Sequence, residues 1–136
     1  MKFDRRLTDK IYTSDTVRLG KNALQAMQET IYHNGGVGTI TGYYDAELSI
    51  LSVSDLLLHN LNHSYASLME QTKGSLKNLF YKRDAAFLDN ARFRQIQGGG
   101  ESQFLTADGA PVYVRLYKKD AVDTDGTPIW VMSVQM

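Results

Sequence analysis

The chain has 136 residues with 15 basic and 15 acidic side chains, and this zero net charge argues against nucleic-acid binding or a polybasic membrane tether, which both need a clustered basic surface. The absence of cysteine excludes disulfides, thiolate nucleophiles and cysteine-based zinc sites. No apolar run approaches the roughly 20 residues that span a bilayer, and the charged N-terminus is unlike a signal peptide, so we expect a cytoplasmic chain without direct membrane contact.

Residues 1–34 are predicted to be an N-terminal extension and linker helix. An apolar stripe at spacings of seven, three and four residues indicates one face of an amphipathic helix, formed by Val17, Leu24, Met27 and Ile31. Ser14 or Asp15 would cap its start, and Asn34-Gly35-Gly36 would end it, because glycine tolerates the left-handed conformation common at helix ends.

The period changes after the linker. Residues 37–44 and 48–53 are rich in β-branched and aromatic side chains and are closely joined, which predicts an antiparallel hairpin. Two short helices should follow, one capped by Ser54 or Asp55 and one by Ser64. A longer helix is predicted over residues 84–97, and Gly98-Gly99-Gly100 is interpreted as its flexible stop.

Three further strands are predicted over residues 102–106, 112–119 and 129–135, separated by Asp-Gly turns. The order is two strands, several helices, then three strands. Such an order is typical of an α+β fold, here a five-stranded antiparallel sheet with helices on one face, preceded by the N-terminal amphipathic helix.

Four local motifs follow one another along residues 35–136. A strand runs into Ser54-Asp55 and an apolar helix, and Tyr81-Lys82-Arg83-Asp84 precedes the longer helix. The segment from Phe104 to Val112 indicates an Asp-Gly hairpin, and Asp125-Gly126-Thr127-Pro128-Ile129 leads into the last strand. These motifs and their order resemble those of PAS domains, in which the second motif would be a degenerate form of a His-Pro-Asp-Asp segment.

This resemblance implies a sensory domain of a bacterial signalling protein that is not itself an enzyme. It further implies a homodimer and a C-terminal effector domain, either a histidine kinase of a two-component system or a cyclic-dinucleotide enzyme such as a diguanylate cyclase. A ligand-free dimerisation or scaffolding module is the alternative, and a small α+β enzyme of the ketosteroid-isomerase or thioesterase kind is a third.

The resemblance also bears on cofactors, and we expect none. Haem-binding relatives generally take an axial histidine from the long helix, whose counterpart at residues 84–97 has none, and flavin-based light sensors need a cysteine. A structural or surface role is expected for His33, His59 and His63, because no further ligands converge on them to bind a metal. No pairing of acidic residues suggests acid–base catalysis.

A small-molecule ligand would lie on the helix-covered side of the sheet. The predicted lining residues are Tyr43, Leu57, Leu61, Leu79, Phe87, Phe93, Arg94 and Val114. The alternative is a filled apolar core, which the apolar character of most of these side chains favours.

The other side of the sheet is predicted to be apolar too, because Tyr113 and Tyr117 alternate with Val112, Val114 and Leu116. A monomer rarely leaves such a surface exposed, so the linker helix should cover it within the chain or across a dimer. The residues assigned to this interface are Val17, Leu24, Met27, Ile31, Tyr113, Tyr117, Trp130 and Met132.

Overall fold

A computed structural model describes residues 10–13, 18–35, 38–81 and 89–136 of the chain. In chain order its elements are β1 (Ile11–Thr13), α1 (Lys21–Asn34), β2 (Gly38–Tyr43), β3 (Ile50–Ser54), α2 (Asp55–Asn60), α3 (Tyr65–Thr72), a 3₁₀ turn (Leu76–Asn78), α4 (Asn90–Gln95), β4 (Gly98–Leu105), β5 (Pro111–Val122) and β6 (Pro128–Gln135). The fold is α+β, as the order of strands and helices predicted.

The strands form one antiparallel sheet in the order β1-β3-β2-β6-β5-β4. The described residues contribute six strands to it, so the prediction of five was wrong. The additional strand, β1, is only three residues long and pairs with β3. A strand of three residues is too short to show a clear alternation in the sequence. Its partner β3 lies about forty residues further along the chain, so no local turn indicates the pairing.

The two faces of the sheet are covered by different helices. Helix α1 packs on one face, called here the outer face, over β5 and β6. Its core is small and consists of Ala23, Ala26, Met27, Leu51, Ile129 and Val131. The opposite, inner face carries the main core, to which α2, α3, the 3₁₀ turn and α4 contribute Leu57, Leu58, Leu61, Leu68, Leu76, Leu79 and Phe93.

Local signals place the inner helices as predicted. The hydroxyl of Ser54 accepts a hydrogen bond from the backbone N–H of Leu57, and Ser64 and Ser67 form a reciprocal capping box at the start of α3. Helix α1 begins at Lys21 with Gly20 as its N-cap, so the predicted start at Ser14 or Asp15 was too early. Both Ser14 and Asp15 lie outside the described residues.

The glycine run was interpreted wrongly. Gly98, Gly99 and Gly100 open the edge strand β4 and pair with Lys118, Tyr117 and Leu116 of β5, respectively. Gly98 has φ +82°, which a residue with a side chain rarely adopts, and the aromatic ring of Tyr117 lies 3.8 Å from where a Cβ would be. The run therefore starts a strand. Of the predicted helix over residues 84–97, the structure describes residues 89–97, and Asn90–Gln95 are helical.

Candidate functional site

Of the apolar residues predicted to line a ligand cavity, those that the structure describes are buried in the inner core. The five described ones are 0% exposed and belong to one continuous cluster: Leu57, Leu61, Leu79, Phe93 and Val114. Phe87 lies outside the described residues. The structure therefore brings the described apolar set together in one packed core.

The inner face also holds a lysine that the sequence analysis did not single out. Lys118 is 2% exposed, and its ammonium donates hydrogen bonds to the carbonyl oxygen of Ile96 (2.9 Å) and to Oδ1 of Asp120 (3.1 Å). The same nitrogen lies 5.0 Å from the ring centroid of Tyr44 and 5.1 Å from that of Phe93. Burial lowers the pKa of Lys118, and the neighbouring Asp120 carboxylate opposes that shift.

Sequence alternation would have located this lysine. Val112, Val114 and Leu116 were placed on the inner face, and continuing the two-residue period by one step reaches Lys118. A lysine at a core position is unusual, since a buried charge needs partners that compensate for lost hydration.

Asp120 connects Lys118 to an aromatic side chain at the end of β2. Its carboxylate accepts a hydrogen bond from the Tyr44 hydroxyl and another from the Gln97 amide at 3.0 Å. Burial is the main cause of a raised pKa at Tyr44, and the Asp120 carboxylate raises it further. The guanidinium carbon of Arg94 lies 4.7 Å from the centroid of the Tyr44 ring, in the geometry of a cation–π contact.

Next to this cluster lies an open cleft of about 390 Å³. Its lining residues come from the segment before α1, the end of β2, helix α4 and the β5–β6 turn: Arg18, Tyr43, Tyr44, Asp45, Arg94, Thr127 and Pro128. Tyr43 and Arg94, the two polar candidates from the sequence, therefore meet at this cleft, while the apolar candidates lie in the core.

One wall of the cleft is an ion-pair cluster centred on Asp123, whose side chain is 0% exposed. Its carboxylate accepts hydrogen bonds from Nε of Arg18 (2.9 Å) and from the hydroxyl of Tyr43 (3.3 Å). Backbone N–H groups of Asp125 and Thr127 donate to its other oxygen at 2.9 and 3.0 Å. Burial opposes ionisation of Asp123, but these donors and the Arg18 guanidinium outweigh it and lower its pKa.

This cluster fastens the start of α1 to the β5–β6 turn. Arg18 precedes the N-cap Gly20 by two residues and also pairs with Asp125. Burial is the main cause of a raised pKa at Tyr43, although the Arg18 guanidinium opposes the rise.

Polar contacts continue along the whole of α1. The backbone N–H of Val122 donates to the Asn22 side chain at 2.9 Å, and Lys119 pairs with Glu29. At the other end of α1, the amide of Asn34 donates to the carbonyl oxygens of Arg115 and Ser133 at 3.0 and 3.2 Å. Helix α1 is therefore fixed in register on the outer face as well as packed against it.

The residues predicted for the linker interface are divided between the two faces of the sheet. Met27 and Ile31 are buried, Leu24 is 40% exposed, and Tyr117 stacks on His33 at a centroid distance of 5.0 Å. Tyr113 is 53% exposed. Val17 lies outside the described residues.

Trp130 and Met132 were assigned to the wrong face. Both are 0% exposed in the inner core, where the Trp130 ring meets Phe93 edge-on at 5.7 Å and its Nε1 donates to the carbonyl oxygen of Tyr43. The outer face of β6 instead presents Ile129 and Val131. Both alternating sets of side chains in β6 are apolar, so the sequence pattern does not show which set faces inward. The register with β5, in which Leu116 pairs with Val134, places Trp130 and Met132 on the inner face.

The described ranges were compared with the side-chain arrangement of a metal site and with the length and hydropathy of a membrane-spanning helix. No group of three or more histidine, cysteine or acidic side chains there is arranged to hold a metal ion. No helix within those ranges is long and apolar enough to cross a bilayer. His63 is 8% exposed, its Nδ1 lies 2.7 Å from the Ser67 hydroxyl, and burial lowers its pKa.

Comparison with known proteins identifies the fold. The structure is similar to a crystal structure of the PAS domain of a Desulfitobacterium hafniense protein, with a TM-score of 0.59 and 10% sequence identity, over 74% of this chain and 92% of that chain. No protein-family model and no curated protein matches the sequence. The chain therefore has a PAS-like fold, which confirms the resemblance found in the order of its sequence motifs.

Proposed function

We propose that the chain is a sensory or regulatory module of a signalling protein and that α1 is the element through which it signals. The observation that carries this proposal is the position of α1. It covers the outer face of the sheet across β5 and β6, while the core that would respond to a cue lies on the inner face. A change in the strands would therefore be transmitted directly to the linker helix.

The contacts of α1 suit an element that can detach. Its buried apolar side chains are few: Ala23, Ala26, Met27 and Ile31. The other described contacts are the stack of His33 on Tyr117, hydrogen bonds and an ion pair, and among them the hydrogen bond from the Ser133 hydroxyl to the Thr30 carbonyl oxygen is buried. Surface ion pairs contribute little to stability, on the order of 0–1 kcal/mol each. Local opening of α1 should therefore cost less than unfolding of the sheet.

Hydrogen exchange tests this proposal on the full chain. Amides of α1 should exchange through a local opening with a lower free energy than those of β2 and β6. Met27→Glu, which places a charge in the small outer core, should speed exchange in α1 while leaving the strands protected. Gln28→Glu, at an exposed position of the same helix, is the matched control. If α1 and the central strands exchange with the same free energy, the helix does not move separately and the proposal fails.

The family resemblance extends this proposal to the rest of the signalling protein. The module would regulate a C-terminal histidine kinase or cyclic-dinucleotide enzyme and would work as a homodimer in the cytoplasm, without catalysis of its own. The exposed side of α1 carries Leu24 and Tyr32, 40% and 82% exposed, and supports a contact between two copies. Size-exclusion chromatography with light scattering should then show a dimer that Leu24→Glu weakens and Lys21→Glu leaves intact.

A ligand-free interaction module is the second candidate, favoured by the close packing of the described inner core. Native mass spectrometry separates the two candidates because it reports a retained small molecule and the oligomeric state together. A dimer with no bound mass, and no gain in stability on addition of small molecules, would favour this second function.

A further inference from the structure

We infer that the open cleft lined by Arg94 and Tyr44 is a binding site for a small planar monocarboxylate, whose binding is coupled to the docking of α1. Only the coupling to α1 rests on the proposed regulatory function. The binding itself depends on the geometry of the cleft.

The cleft contains one cation that no described carboxylate neutralises. Two arginines line the cleft, and Arg18 is neutralised by Asp123 and Asp125. Among the described residues, Arg94 has no carboxylate within ion-pair distance and is held only over the Tyr44 ring. A guanidinium presents a planar fork of donors that matches a carboxylate with two parallel hydrogen bonds.

The aromatic surface beneath Arg94 is held in place before any ligand binds. The Tyr44 hydroxyl donates to Asp120, and Asp120 is also held by Lys118 and Gln97. Because Lys118 and Gln97 also hold Asp120, the Tyr44 ring that donates to it keeps its position. Preorganised groups lose less entropy on binding, which favours a rigid, flat ligand.

The remaining walls of the cleft restrict the shape and charge of a ligand. The volume of about 390 Å³ lies in the range typical of small-molecule sites. Tyr43 and Pro128 add apolar surface, which suits an aromatic or other planar body. Asp45 also lines the cleft and would repel a second negative charge, so the ligand carries one carboxylate.

The coupling to α1 follows from Arg18. This side chain lines the cleft and at the same time fastens the segment before α1 to Asp123 on the β5–β6 turn. A ligand that contacts Arg18 in the docked state, and loses that contact when α1 detaches, binds the docked state more tightly. Binding would then shift the population towards docked α1.

An NMR titration of the full chain with benzoate, and with benzamide as the uncharged analogue, tests the site. Benzoate should cause saturable shifts at Tyr43, Tyr44 and Arg94, and benzamide much smaller ones. Arg94→Gln should weaken benzoate binding about tenfold or more, because a charge-assisted contact is lost. Arg92→Gln, an exposed arginine on the same helix outside the lining, is the matched control.

Asp45→Asn distinguishes the ligand classes. Benzoate should bind this variant more tightly, since a like charge is removed, whereas a zwitterion such as an amino acid would bind it more weakly. The inference is wrong if benzoate shows no saturable binding, if Arg94→Gln binds it as well as the wild type, or if glycine binds better than benzoate.

Hydrogen exchange in α1 with and without benzoate separates the two levels of the inference. Slower exchange of α1 on binding supports the coupling. Binding at the cleft with unchanged exchange in α1 would leave the carboxylate site standing and refute its link to the linker helix. Absent binding, combined with separate opening of α1 in the ligand-free chain, would refute the site and leave the proposed function intact.

Discussion

Replacing Gly42 with alanine should destabilise the protein by about 3 kcal/mol, the upper part of the range for overpacking a core. Gly42 lies on β2 at a β-bulge opposite Ile50. A methyl group there would press against the carbonyl oxygen of Ser49 and Cζ2 of Trp130, and would lie 2.7 Å from Cε2 of the same ring. Real Cβ atoms essentially never come so close to other heavy atoms.

Neither neighbour of Gly42 can move away at low cost. The Ser49 carbonyl accepts a hydrogen bond of 2.8 Å from the backbone N–H of Tyr43. Trp130 is 0% exposed, and its Nε1 donates to the Tyr43 carbonyl at 2.9 Å. Relief of the clash must therefore break a hydrogen bond or displace the largest side chain of the core, and either adds to the steric cost.

Urea unfolding measures this effect. The protein has a single tryptophan, so fluorescence reports the surroundings of Trp130 while far-UV circular dichroism reports the whole fold. Gly99→Ala is the control because its nearest atom would be the Leu116 carbonyl oxygen at 3.9 Å. That variant should stay within about 0.5 kcal/mol of the wild type. Equal unfolding midpoints for the two variants would show that the described packing around Gly42 is wrong.

Substitutions of three titratable residues, Asp123, His63 and Lys118, test the electrostatics. The folded-state pKa of Asp123 lies below its ordinary value of 3.8. The ionised carboxylate therefore stabilises the folded protein above pH 3.8, and this contribution is lost as the pH falls through the folded-state pKa. In urea unfolding, the stability of Asp123→Asn should depend less on pH in this acid range than that of the wild type. The folded-state pKa of His63 lies below 6.5, so the folded protein should lose stability as the pH falls below 6.5 and His63 becomes protonated. In thermal unfolding, His63→Gln should reduce this loss, whereas His59→Gln, at an exposed position, should not. Lys118→Met keeps an apolar stem in the core and should change the free energy of unfolding by less than about 1 kcal/mol, whereas Lys118→Ala should cost about 2–4 kcal/mol through the cavity it leaves. Equal losses for the two Lys118 variants would mean that the charge rather than the stem stabilises this position.

Features with local causes were predictable from the sequence. Ser54 and Ser64 cap helices at the predicted positions because capping depends on one hydroxyl and the next few backbone N–H groups. The turn at Asp108-Gly109 was likewise placed correctly, since Gly109 has φ +83° and such a conformation favours glycine. These signals determined the order of elements, and that order was enough to indicate the fold.

Features that depend on distant partners were missed. The face on which Trp130 lies is decided by the pairing of β6 with β5, and a shift by one residue would exchange its two apolar sets. The cleft brings together residues as far apart in the chain as Arg18 and Thr127. Arg94 and Tyr43 could be named as polar candidates from their types alone, but no spacing rule places them beside each other or reveals that Asp123 neutralises Arg18.

The pairing of β2 with β6 determines when the protein can fold. These two strands lie at the centre of the sheet, and the hydrogen bond from Trp130 to Tyr43 joins residues 87 positions apart. During synthesis, β2 and β3 leave the ribosome long before β6 and must wait with one strand edge unpaired. Closure of so long a loop is slow, and an unpaired edge invites association with other chains. We therefore expect the nascent chain to be prone to aggregation until β6 pairs with β2.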